Sequence, residues 1–268
     1  MKGVRFALIL IALVILIGCD GSLLIQAPEL KAVAMGSTHI TAFWEKNSII
    51  ESNTDFVGYN IYVYTDSSAL LVEEGETLNK FNSLVIRDTT YQMDGLSQDS
   101  IYYVQVRTVN IENVVGGYDS VTPFLKASPR PEFNVTMRIA DSAQTVNDSC
   151  AVRFSDGMIM ADSAMASGGA DMQLVASNDT VSFQSPSIYG PGTRTTYFVN
   201  MGSGDFELFS GVTNEPDLLS VAVDIGDIVV AKTEDGNYVK MYVEAIDLQN
   251  NTATIRYAYQ NIAGFPYF

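Results

Sequence analysis

Two cysteines, one histidine and ten methionines are the side chains of this 268-residue chain with the most reactive or most ligand-like chemistry. A cysteine or serine nucleophile needs a base beside it, and histidine is the usual one. Here a single histidine, His39, would have to serve any such site. It lies in "HITAFW", on the outward side of an alternating run, where a plain surface role is expected. Cys150 is accordingly read as a small buried residue. Zinc sites draw on several Cys and His ligands, which the chain does not supply. The methionines lean towards the second half: Met137, Met158, Met160, Met165, Met172, Met201 and Met241. Methionine is a soft axial ligand for haem iron; it is also a flexible filler of irregular cores. The phosphate-cradling and dinucleotide glycine motifs are missing. The turn Asp224–Asp227 is a weak calcium candidate. Paired carboxylates of a glycosidase need not be neighbours in sequence, and nothing local marks a pair. The expectation is no catalytic, cofactor-binding or metal residue.

Cys19 poses a different question, because it closes an apolar run. Lys2 and Arg5 form a short positive region, and "FALILIALVILI" (6–17) follows with twelve apolar residues. A membrane-spanning helix needs about 20 residues, whereas a signal-peptide core runs to about 7–15. A short uncleaved anchor is the rival reading. Leu16-Ile17-Gly18-Cys19 resembles the lipobox of bacterial lipoproteins. The resemblance implies cleavage before Cys19 and diacylglycerol attachment to its thiol. One acyl chain binds a bilayer marginally, while two or three hold it firmly. Residues 1–18 are then a signal peptide and 19–26 a short tether, which reaches at most about 25 Å when extended. The expected location is the bacterial cell envelope, lipid-anchored, at the periplasmic or outer face of the outer membrane. With Cys19 acylated, Cys150 has no partner for a disulfide.

Composition excludes some partners. Apolar residues make up 47% and the formal net charge is −16. A core is affordable, and the dispersed acid favours solubility. Nucleic acid is bound by neutralising phosphates with Lys and Arg, so no nucleic-acid partner is expected.

The elements that would carry any site read as strands throughout. In 27–128 the runs "HITAFW", "YNIYVY" and "YYVQVR" alternate with period two. Ile40, Ala42 and Trp44 face one way. Val104 and Val106 are expected inward, with Tyr103, Gln105 and Arg107 outward. "APELKAVAMGSTHITAFWEKN", "GYNIYVY" and "GLSQDSIYYVQVRTVN" resemble the fibronectin type III domain, with Pro28, Leu30, Trp44, Leu96, Tyr102, Val104 and Val106 at its marker positions. Gln98 replaces the usual proline, and the family's integrin-binding Arg-Gly-Asp is absent. The resemblance implies a β-sandwich in which Tyr102 pins a crossover loop. These residues are scaffold and assign no activity.

"KASPRPEF" (126–133) reads as a short, stiff junction between neighbouring domains. Beyond it, 129–268 is expected to be a second antiparallel β domain. Its candidate strands are 133–139, 151–154, 171–176, 195–200, 219–223, 227–233, 238–246 and 252–260. A turn at Asp235-Gly236 and another at Gln249–Asn251 set up a closing meander. Phe154, Gly157, Ala170, Asp171, Gly226, Asp227, Gly236, Tyr238, Lys240 and Tyr259 carry a fainter similarity to HmuY-like lipoproteins. Haem-binding members of that family use paired histidines, which this chain lacks. Tyr62, Tyr64, Tyr103 and "GFPYF" (264–268) are either packing or a glycan- or protein-binding surface. The expected function is non-catalytic binding or scaffolding, with glycan or surface-protein capture as its forms. Small-ligand capture, haem included, comes next, and a carbohydrate-active enzyme third.

Overall fold

A computed structural model describes residues 26–46, 48–71, 80–141 and 148–268. Cys19, the signal peptide and nearly all of the tether lie outside the described residues. No described helix is long and apolar enough to cross a membrane. The described residues are all-β as expected, with 47% strand and 8% helix.

The first half folds as two three-stranded antiparallel sheets. One contains β1 (Glu29–Met35), β2 (His39–Glu45) and β4 (Thr90–Asp94), in the order β1-β2-β4. The other contains β3 (Phe56–Tyr64), β5 (Tyr102–Asn110) and β6 (Leu125–Ala127), in the order β3-β5-β6. Alternation explains the packing of β2: Ile40, Ala42 and Trp44 are buried, and His39, Thr41 and Phe43 lie on the opposite face. Ile61, Val63, Val104 and Val106 supply the facing side of the core. Tyr102 Oη accepts a 3.0 Å hydrogen bond from the Ser97 amide, tying the β4–β5 crossover to β5.

The outward residues of β5 are a correction. Gln105 and Arg107 are buried, at 2% and 3% exposure, rather than facing solvent. The segment after β3 and the β5–β6 connection fold over them and satisfy their polar groups. Arg107 donates to Leu70 O (2.7 Å), and Gln105 donates to Pro123 O (2.8 Å). Tyr62 is buried beneath the same cover, with the Arg107 guanidinium 5.2 Å from its ring centroid.

The second half is built from two larger sheets. One runs β13-β15-β16-β17-β7, from Tyr197–Ser203, Asp227–Lys232, Tyr238–Asp247, Thr252–Tyr259 and Glu132–Arg138. The other runs β10-β9-β11-β12-β14, from Met158–Met160, Ala151–Arg153, Met172–Ser177, Thr180–Gln184 and Ser220–Ala222. The short β8 (Ala140–Asp141) adds to β11 in parallel. Val152, Leu174 and Phe183 from the second sheet meet Val229, Met241 and Ile255 from the first in one core. β15, β16 and β17 form the expected meander. Strands β10 and β12 were not foreseen. The β11–β12 hairpin turns at Asn178-Asp179, both with positive φ (49° and 62°), as its two-residue loop requires.

The two halves share a second core. Val33, Met35, Trp44 and Tyr59 belong to one buried cluster with Phe206, Val230, Tyr238, Ala258 and Phe268. The junction is part of the packing: Ala127, Ser128 and Arg130 are all fully buried. The Arg130 amide donates to Gly36 O at 2.8 Å. The chain's last residue, Phe268, is fully buried against Phe209, with ring centroids 6.4 Å apart.

Candidate functional site

Where the halves meet, a cleft of about 370 Å³ opens beside the shared core. Its first wall is the outer face of β2, with His39, Thr41 and Phe43, next to Ala34 and Gly36 of β1 and the following turn. Small residues there leave room in front of the strand. Gly36 leaves the His39 ring its place: a Cβ at that position would lie 2.2 Å from the ring and would displace it. The imidazole thus packs directly on backbone. His39, expected to be plain surface, lines the cleft instead.

The opposite wall carries charge. Glu132 begins β7, Arg256 lies on β17, and Glu207 comes from the loop after β13. Register explains the first pair. Glu132 is directly opposite Ala258, and Asn134 is opposite Arg256, so Glu132 and Arg256 are diagonal neighbours on one face. Arg256 Nη2 donates to Glu132 and to Glu207, both at 2.7 Å. Its guanidinium carbon also sits 4.3 Å from the Phe206 ring centroid, which holds the loop down. Behind them Arg130 donates to Glu132 at 2.6 Å and to Met35 O. Lys240, fully buried, donates to the carbonyls of Phe206 (2.6 Å) and Phe209 (3.0 Å), completing the attachment of this loop.

The electrostatics follow from this arrangement. Burial pushes the Glu132 carboxyl up, but the Arg130 charge and the hydrogen bonds from both arginines outweigh it and hold it below the usual carboxylate range. Burial lowers Arg130 against the pull of Glu132. Burial likewise takes Lys240 well below the ordinary amine value, and the Arg130 charge adds to that. A general acid for glycoside cleavage needs a carboxyl that stays protonated near neutrality. Glu132 is driven the other way. The wall is built to hold charge in place and to present hydrogen-bonding edges. A second depression, lined by Phe206, Tyr242 and Glu244, joins the cleft at Glu207 and Arg256.

The sequence-level candidates fall elsewhere. Cys150 is fully buried, its thiol pushed up by burial, and accepts from Gln173 at 3.4 Å. Met137, Met172 and Met241 fill the core between the large sheets. Met160 and Met165 pack with Ala151 and Ala170, and Met158 is exposed. Among the described residues no group of three or more His, Cys, Asp or Glu side chains is placed to hold a metal ion. Asp227 is instead engaged by Asn200 (2.7 Å) and the Asp224 amide (3.0 Å). Asp171 accepts from the Phe154 amide (2.9 Å) and from Arg194 (2.7 Å), and Arg194 also pairs with Asp235. That network fastens two glycine-bearing loops to the β15–β16 hairpin. Tyr64 remains exposed, whereas Tyr62 and Phe268 are packed.

Sequence reasoning did not single out Arg130, Glu132, Glu207 or Arg256. The one local signal was an arginine between two prolines in "SPRPEF", in a stretch otherwise legible as a linker. No protein-family model matches the chain, and no curated protein is significantly similar to it.

Proposed function

We propose that the protein is a bacterial lipoprotein of the cell envelope, anchored at the outer membrane through Cys19, and that it acts as a non-catalytic binding or scaffolding module. The anchor reading rests on Leu16-Ile17-Gly18-Cys19 after a twelve-residue apolar run. The fibronectin type III reading of the first half draws support from its three-on-three strand order and from the Tyr102 hydroxyl fixing the crossover at Ser97. The HmuY-like reading of the second half rests on its sequence resemblance.

One observation carries the binding reading. Side chains from both halves converge on a single cleft, and its carboxylates are committed to guanidinium pairs. Paired groups of this kind present fixed hydrogen-bonding edges to a partner. The partner is a glycan or a surface protein. Two experiments test this. Cells expressing wild type or Cys19→Ala are labelled with a radioactive fatty acid and fractionated. The label and membrane retention are expected to disappear in the variant, and unchanged labelling and retention would defeat the anchor. Glycan arrays and capture from envelope extracts test the binding role, and silence in both would defeat it.

A further inference from the structure

We infer that the cleft between the halves is a glycan subsite that takes a neutral sugar of one or two rings. This rests on the binding reading above and adds the place and the chemical class of the ligand.

Size comes first. At about 370 Å³ the cleft falls at the lower end of small-molecule sites, which span roughly 300–1,000 Å³. That volume admits a small ring or two. Charge comes second. Glu132 and Glu207 face Arg256 at the wall, with Arg130 directly behind Glu132. The two acids are matched by these two ion-paired bases, with the buried Lys240 amine behind them held by the Phe206 and Phe209 carbonyls, inside a chain whose net charge is −16. A cationic or anionic ligand would have to break an existing ion pair or leave an excess charge half-buried, which is costly. A neutral ligand does neither.

Spare hydrogen-bonding capacity comes third. A carboxylate offers about four acceptor positions and a guanidinium five donors. Glu207 and Arg256 remain 46% and 31% exposed with their mutual bond made, so both keep accessible edges where the cleft and the adjoining depression meet. Ser37 and Thr41 add hydroxyls on the other side. Sugar hydroxyls both donate and accept, so one ring can use carboxylate, guanidinium and hydroxyl together. The carbon–hydrogen faces of the same ring are apolar, and the half-buried Phe43 offers apolar surface to receive them.

The full chain in detergent micelles is titrated by calorimetry with neutral disaccharides: maltose, cellobiose, lactose and di-N-acetylchitobiose. Ser37→Trp and Thr41→Trp fill the cleft from different residues. The Ser37 side chain is exposed, which keeps one variant free of folding damage, as a matching thermal melt verifies. At least one disaccharide is expected to bind, with a loss of about tenfold or more in both variants. Affinity should scarcely change between about 50 and 500 mM salt. The inference is overturned if none of the disaccharides binds, if the tryptophan variants bind as well as wild type, or if binding is confined to anionic sugars and falls steeply with salt. Silence from every disaccharide together with capture of an envelope protein that Ser37→Trp leaves unchanged would overturn the subsite while leaving the broader binding reading standing.

Discussion

Arg130 brings a guanidinium to a place with no solvent. Its side chain is fully buried, and its Nε and Nη2 atoms have no hydrogen-bond partner. Its remaining nitrogen serves Glu132 and the Met35 carbonyl. Each unpartnered buried N–H costs about 1–3 kcal/mol, so the residue stabilises mostly by filling space and compensating Glu132. Arg130→Ala removes both contributions and is expected to cost about 3 kcal/mol. Arg130→Met keeps the volume and discards the unpartnered groups, while Arg256 still faces Glu132, so it should cost only about 1 kcal/mol. Urea denaturation of the two variants decides this, and equal costs would mean that charge dominates. Acid adds a check with a definite sign. Because Glu132 lies below the ordinary value of 4.5, its pairing stabilises the fold fully above that pH and is lost as pH falls through the depressed value. In Arg130→Ala that acid-dependent part shrinks, so the variant's deficit should narrow as pH drops through this window.

The strands show which sequence signals carry three-dimensional information. Alternation placed β2 correctly because one of its faces packs on a core, whereas β15, β16 and β17 were legible from their apolar runs and hairpin turns although both faces meet a core, Val229 and Ala231 of β15 on one side and Val230 on the other. Alternation misread the outer face of β5, because polar Gln105 and Arg107 look solvated until loops without any periodic pattern fold across them. The β11–β12 hairpin escaped notice for a related reason: Asn178-Asp179 adopts the positive-φ pair that Asn-Gly announces more loudly. The cleft was illegible on the same grounds. Glu132 and Arg256 sit at outward positions of regular strands, and only the loop bearing Phe206 and Glu207 turns that face into a wall. Tyr102, by contrast, was readable together with its role. Removing its hydroxyl tests the role in isolation. Tyr102→Phe leaves the ring packed and the Ser97 amide without its acceptor. The expected loss is about 0.5–1.5 kcal/mol, read as a lower urea midpoint at unchanged slope.

At the scale of the molecule, the shared core decides how the chain unfolds. Two sandwiches joined by an exposed linker would melt independently. Here Phe206, Tyr238, Ala258 and Phe268 of the second half lie in one buried cluster with Val33, Met35 and Trp44 of the first, and the connecting residues Ala127, Ser128 and Arg130 are themselves buried. Opening either half therefore exposes apolar surface of the other, at about 25 cal/mol per Å². The chain carries its own reporter, since Trp44 is its single tryptophan and lies in the core of the first half. Trp44 emission and far-ultraviolet circular dichroism, which reports strands in both halves, should trace one coincident transition. A sharper version uses Phe268. Truncating a fully buried phenylalanine typically costs about 3–5 kcal/mol, and Phe268 is the last residue of the second half. If the halves unfold together, Phe268→Ala shifts the Trp44 transition as far as the circular dichroism transition. If they are independent, Trp44 emission melts at the wild-type midpoint while the dichroism splits in two. The first outcome has a consequence for the cleft: its walls, one from each half, are then held at a fixed separation by the same core that couples their unfolding, so a ligand finds the site already formed.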